Sequence, residues 1–300
     1  MDPVALAAAP QLAPDILYVD QIGHEGQPDL GDATYAWHLL AEGDSWFSIG
    51  AVPSSNLLYE LRFPRWTQIL SLAYPGDTLK NMGSVASNRD LKKWLGRAGF
   101  TIPFTGLLLS GGGNDLIDAA GDLISRKPLN GQDPKLPGSY IKAAPLAELV
   151  ATVQEGLRNI IGLRDSKGSK SAGAPAFVHT YDYATPRNAP ARFVSGPAIS
   201  GPWLYKVLQP TGLDIVLQQR IADLLTDKLA EGLWALDSTR GSAELQLPSF
   251  HVVETRNTLV RANPTEIGSS NDWLNEIHPT MDGYRKIAAQ ISAQINRLLD

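Results

Sequence analysis

Residues 43–45 read Gly-Asp-Ser and follow an apolar run, Tyr35-Ala36-Trp37-His38-Leu39-Leu40. Gly, Asp and Ser are ordinary turn residues, but a serine presented at the end of a buried strand is also a candidate nucleophile. A serine hydroxyl attacks an acyl carbon only with a base to take its proton and donors aimed at the developing oxyanion. Three further stretches supply those residue types: Gly76-Asp77-Thr78, Gly112-Gly113-Asn114-Asp115 and, near the end of the chain, His278-Pro279. His278 would be the base for Ser45. The Ser45 N–H, the Gly76 N–H and the Asn114 side-chain amide would meet the oxyanion, and glycine at 76 keeps a side chain from crowding the substrate carbonyl. Each such donor is worth about 3–4 kcal/mol of transition-state stabilisation, so three together outweigh any other single contact.

"GDS" at 43–45, "PGDTL" at 75–79, "GGND" at 112–115 and "IHPT" at 277–280 are similar in order and spacing to the blocks that name the SGNH hydrolases, the GDSL esterase/lipase family. The resemblance runs from about residue 36 to the C-terminus. It implies a three-layer α/β/α sandwich of flavodoxin-like type with a central parallel five-stranded sheet. It also implies a serine esterase that works through an acyl-enzyme on a small-molecule ester, without a cofactor. Lipase, lysophospholipase, thioesterase and carbohydrate O-deacetylase activities share that chemistry, and the blocks do not choose among them.

Two positions depart from the family pattern. Trp46 stands where the family's nickname has Leu. The aspartate usually found three residues before the histidine is replaced by Asn275. Asparagine can accept a hydrogen bond from the imidazole and hold its tautomer, but it cannot stabilise imidazolium by charge; the Asp-to-Asn change costs serine proteases about 10⁴ in rate. Asp272, six residues before His278, is the favoured replacement, and Glu276, two before, is the other charged candidate. Asn275 alone, or a Ser–His dyad oriented by a backbone carbonyl, completes the alternatives. The base is expected to titrate near neutrality.

Short apolar runs at 36–41, 67–73, 105–109, 176–181 and 250–254 predict five strands, apolar on both faces as a parallel sheet covered by helices requires. Helical stretches lie between them, at 91–95, 146–163 and 215–236. In the last helix Tyr284, Ile287, Ala288, Ile291, Ile295 and Leu298 fall on one face. Strand alternating with helix gives an α/β fold. No linker divides the chain, which reads as a single domain over 1–300 with an N-terminal extension at 1–33. Two long irregular segments stand out, 125–145 and 184–212. The second follows a strand end and carries Phe193, Trp203 and Tyr205, so it is expected to line the site.

Composition narrows the alternatives. The chain has 300 residues, 43% of them hydrophobic, enough for a substantial core. Its formal net charge of −5 disfavours nucleic acid and anionic membranes as partners, and no apolar stretch is long enough to span a bilayer. The N-terminus lacks a basic stretch before its apolar residues, so a cytoplasmic protein is expected, although trimming of a secretory signal would leave the same sequence. The absence of cysteine removes disulfides, thiolate metal sites and a cysteine nucleophile.

"HTYD" at 179–182 and "NEIH" at 275–278 lack the paired-histidine spacing of zinc sites, so no metal is expected. Neither a Gly-x-Gly-x-x-Gly loop nor a Gly-x-Ser-x-Gly elbow is present, against a dinucleotide site and an α/β-hydrolase. His24, His38 and His179 read as structural or surface residues, although His179 could approach the site beside Asp182. The competing functional reading is a ligand-binding module that kept the fold and lost turnover, motivated by Asn275.

Overall fold

The computed structural model describes residues 11–23, 29–48, 55–84, 88–96, 102–191 and 200–300. Its strands are β1 (Asp15–Tyr18), β2 (Trp37–Gly43), β3 (Thr67–Ser71), β4 (Gly106–Ser110), β5 (Ala176–His179) and β6 (Phe250–Val253). They form one sheet in the order β1-β3-β2-β4-β5-β6, and every pair is parallel. The helices are α1 (Ser45–Ser48), α2 (Leu57–Glu60), α3 (Leu79–Met82), α4 (Arg89–Leu95), α5 (Gly113–Leu123), α6 (Ala143–Arg164), α7 (Leu204–Leu208), α8 (Ile215–Trp234) and α9 (Met281–Leu299).

All five strands read from the apolar runs are present, and the described residues form six rather than five. The additional one, β1, comes from the segment expected to be an extension. Asp15–Tyr18 pairs with Gln68–Ser71. Only Leu17 of this strand is fully buried, which is why so short and half-exposed a run carries little sequence signal. Without β1 the order is that of flavodoxin-like sheets, in which the chain builds outward in one direction, then switches to the other side of its first strand. The switch falls between β2 and β4, and ligands of such sheets bind outside the C-terminal strand ends at that place.

The interior strands are buried on both faces: every residue of β3, β4 and β5 is buried. Helices α3, α5, α6 and α8 pack on one another, and α9 packs on α2, giving the two helical layers of a three-layer sandwich. Helix α9 buries Tyr284, Ile287, Ala288, Ile291 and Ile295 as its period predicts. Leu298, expected on that face, is 40% exposed, and Leu299 packs against the core instead. The 125–145 segment is not wholly irregular. Pro137–Tyr140 forms a 3-10 turn with Tyr140 buried, and α6 begins at Ala143. No helix among the described residues is long and apolar enough to cross a membrane.

Candidate active site

Gly43 ends β2 and Ser45 begins α1, so the nucleophile candidate stands on a strand-to-helix turn. A Cβ at Gly43 would come within 2.9 Å of the Phe47 and Ser110 side chains, and only glycine lets the turn lie so close to β4. Asp44 N–H donates to the Ser110 carbonyl at 3.0 Å, anchoring the turn to the end of β4.

The Asp44 carboxylate is buried beneath the turn and accepts three hydrogen bonds. They come from Trp46 N–H at 3.0 Å, the Ser110 hydroxyl at 2.8 Å and the Tyr181 hydroxyl at 2.5 Å. Burial pushes its pKa up to about 6 against the pull of those donors. Ser110 is in turn bonded to His179. Tyr181 N–H donates to His179 Nδ1 at 3.2 Å, so Nε2 carries the proton and donates to Ser110 Oγ at 2.9 Å. Burial lowers the His179 pKa to about 3, leaving a neutral ring stacked on Trp46. His179 is thus a support for the turn. Asp182 does not meet it: its carboxylate accepts from Tyr183, Asn257, Thr258 and Leu259 N–H.

His278 reaches Ser45 from the loop before α9. His278 Nε2 is 2.8 Å from Ser45 Oγ, and both residues are buried, 4% and 5% exposed. The other ring nitrogen, Nδ1, is 3.0 Å from Asn275 Oδ1. That oxygen also accepts Ile277 N–H at 3.1 Å and His278 N–H at 2.9 Å. An atom facing backbone donors must be the amide oxygen, so Nδ1 carries the imidazole proton and donates to it. Nε2 is therefore an acceptor, placed to receive the Ser45 hydroxyl proton. Burial without an acidic partner lowers the His278 pKa to about 4, not the neutral value expected from sequence. Thr280, two residues on, caps α9 through Gly283 N–H at 3.2 Å and fixes where the loop ends.

Asp272, the favoured partner on sequence, is not beside His278. Its carboxylate pairs with Lys286 Nζ at 2.6 and 2.7 Å and accepts Val260 N–H at 2.6 Å. Asp272 faces the second turn of α9 instead. Glu276 is likewise occupied elsewhere. It accepts Arg187 N–H at 3.3 Å, Tyr205 N–H at 2.7 Å and Trp203 N–H, and burial pushes its pKa up to about 7. That clamp brings Trp203 to the site: its half-buried ring stands edge-on to His278, centroids 5.7 Å apart. Phe193 and His24 lie outside the described residues.

The remaining blocks are bonded to one another. Tyr74 N–H donates to the Gly43 carbonyl at 2.9 Å, and Asn114 Nδ2 donates to the Asp77 carbonyl at 2.9 Å. Asp115 accepts Leu79 N–H at 2.9 Å at the start of α3. Gly76 sits on the exposed turn between these bonds at φ +81°, with open space around it, so backbone conformation alone demands glycine there. Ser45 and Asn114 line one cavity; neither Gly76 nor the rest of its turn lines it. Trp46, the departure from the family's nickname, also holds the histidine loop, since its indole Nε1 donates to the Ile277 carbonyl at 3.1 Å. Leucine has no such donor.

No protein-family model matches the sequence, and no curated protein matches it. Among solved structures, the chain is similar to the aryl esterase of M. smegmatis at 12% identity and TM-score 0.46, over 88% of this chain and 100% of that one. It is similar to a "possible lipase" from Chitinophaga pinensis at 11% identity and TM-score 0.48, over 87% and 98% of the two chains. A carbohydrate acetylesterase from Sinorhizobium meliloti aligns at 13% identity and TM-score 0.41, over 87% and 99%. Identities and scores this low leave the functional reading to the chain's own residues.

Proposed function

We propose that the chain is a serine esterase of the SGNH hydrolase type. The observation that carries the reading is the hydrogen-bonded line Ser45–His278–Asn275, whose donors fix the imidazole in the tautomer a general base requires. Ser45 Oγ attacks the ester carbonyl as its proton passes to His278 Nε2. The tetrahedral oxyanion is met by Ser45 N–H, Gly76 N–H and Asn114 Nδ2. Collapse expels the alcohol, which takes the proton back from His278 and leaves Ser45 acylated. Water, deprotonated by His278, then releases the carboxylic acid. Asn275 keeps Nδ1–H in place throughout without charge, an arrangement of the Cys-His-Asn kind with serine as nucleophile.

The neutral Asn275 also motivates the alternative, a binding module without turnover. A fluorophosphonate probe separates the two. Covalent labelling of the wild type, absent in Ser45→Ala, together with hydrolysis of p-nitrophenyl acetate by the wild type alone, supports the esterase. An unlabelled wild type supports the module.

A further inference from the structure

The cavity that holds Ser45 and Asn114 is small and largely apolar. Its walls include Leu116 and Ile117 of α5, Ala184, Leu204 of α7, Leu229 of α8 and Ile277. The polar groups that reach it besides Ser45 and Asn114 are mostly spoken for: the Tyr181 hydroxyl is held by Asp44, and the Asp182 carboxylate by four backbone N–H groups. What remains is a surface suited to hydrocarbon, opening directly on the nucleophile.

Its size sets a limit. The cavity measures about 60 Å³, well under half of the roughly 150 Å³ of an apolar protein cavity that takes up benzene, so it suits only a few carbons. Leu229 is packed behind this wall, since it and Val153 of α6 both approach Gly112, so the Leu229 side of the cavity cannot recede without disturbing the core. Resting on the esterase reading, we propose that this pocket takes the acyl half of the substrate and restricts it to short chains, roughly two to four carbons. Ile117 and Ala184, both only partly buried, are the residues that set its width. The alcohol half, leaving through the open side, is not selected here.

The test is a series of p-nitrophenyl esters, from acetate through butyrate and hexanoate to octanoate, so that only the acyl chain varies. Wild type should show its highest kcat/KM at acetate to butyrate and fall by roughly tenfold or more at octanoate, the scale on which one or two methylenes are discriminated. Ile117→Ala should raise the hexanoate-to-acetate ratio by about tenfold, and Ala184→Leu should lower the butyrate-to-acetate ratio by a similar factor. If Ile117→Ala does not fold, Ala184→Leu carries the comparison. Wild-type protein that labels with fluorophosphonate yet prefers octanoate, or ratios unmoved in a folded variant, would overturn the acyl-pocket assignment and leave the esterase standing. Absence of both labelling and hydrolysis would overturn both.

Discussion

Asn275 Oδ1 accepts the Nδ1 proton of His278 at 3.0 Å, so the residue that orients the imidazole carries no charge. Nothing acidic then offsets burial, and the His278 pKa falls to about 4. The base works as its neutral form and is lost as pH falls through that value. We expect kcat/KM to rise with pH through a limb near 4. Asn275→Asp would favour imidazolium and move the limb upward, towards the usual histidine value of about 6.5. A wild-type limb already at neutrality would contradict this account of the base.

Asn114→Ala removes a side-chain amide at the cavity wall, the oxyanion donor proposed above, and the bond that holds the Asp77 carbonyl. An oxyanion donor acts mainly in the transition state, so kcat should fall by about 10²–10³ with a smaller change in KM. A rise in KM alone would make Asn114 a ground-state contact.

Asp272→Asn tests the residue that sequence favoured. Its partner Lys286 is half-exposed, so breaking the pair should cost about 1 kcal/mol of stability, read by denaturant unfolding. The acid limb of kcat/KM should stay where it is. A limb displaced by this substitution would put Asp272 back into the site.

Glu42 is buried beside Gly43, bonded to Asn88 Nδ2 and Gly43 N–H, and desolvation raises its pKa to about 8. A carboxyl raised above its unfolded value stabilises the fold when protonated, and that contribution is lost as pH rises through the folded pKa. Glu276 acts in the same direction and is spent by about pH 7. His179 and His278, both depressed, act in the opposite direction and only below about 6.5. Between about 7 and 8 the wild-type Tm should therefore fall with pH, and Glu42→Gln should flatten that slope. Parallel slopes in the two proteins would rule Glu42 out as the cause.

The strand ends were legible because parallel strands buried on both faces leave uninterrupted apolar runs, and because each functional block follows one of them. Ser45, His278 and Asn114 could be named as candidates from residue type and position alone. The third member could not. Asp272 and Asn275 are both near His278 in sequence, and only the Ile277 and His278 N–H groups decide which oxygen turns inward. Tyr181 escaped because its backbone sits at φ 60°, a conformation its side chain does not advertise, and its hydroxyl meets an aspartate far away in the chain. Trp203 escaped a definite role because the clamp that delivers it, Glu276, looked like a candidate for the histidine instead.

The indole of Trp46 links the nucleophile's turn to the histidine's loop, with its ring packed among His179, Tyr181, Trp273 and Tyr284 and its N–H on the Ile277 carbonyl. Neither segment can loosen while that ring stays seated, so the two should breathe as one cooperative unit. In native-state hydrogen exchange, the amides of 45–48 and 275–280 should share a single opening free energy, although more than 200 residues of sequence separate them. Trp46→Leu, which removes the indole N–H, should uncouple them, giving the loop its own lower-energy opening.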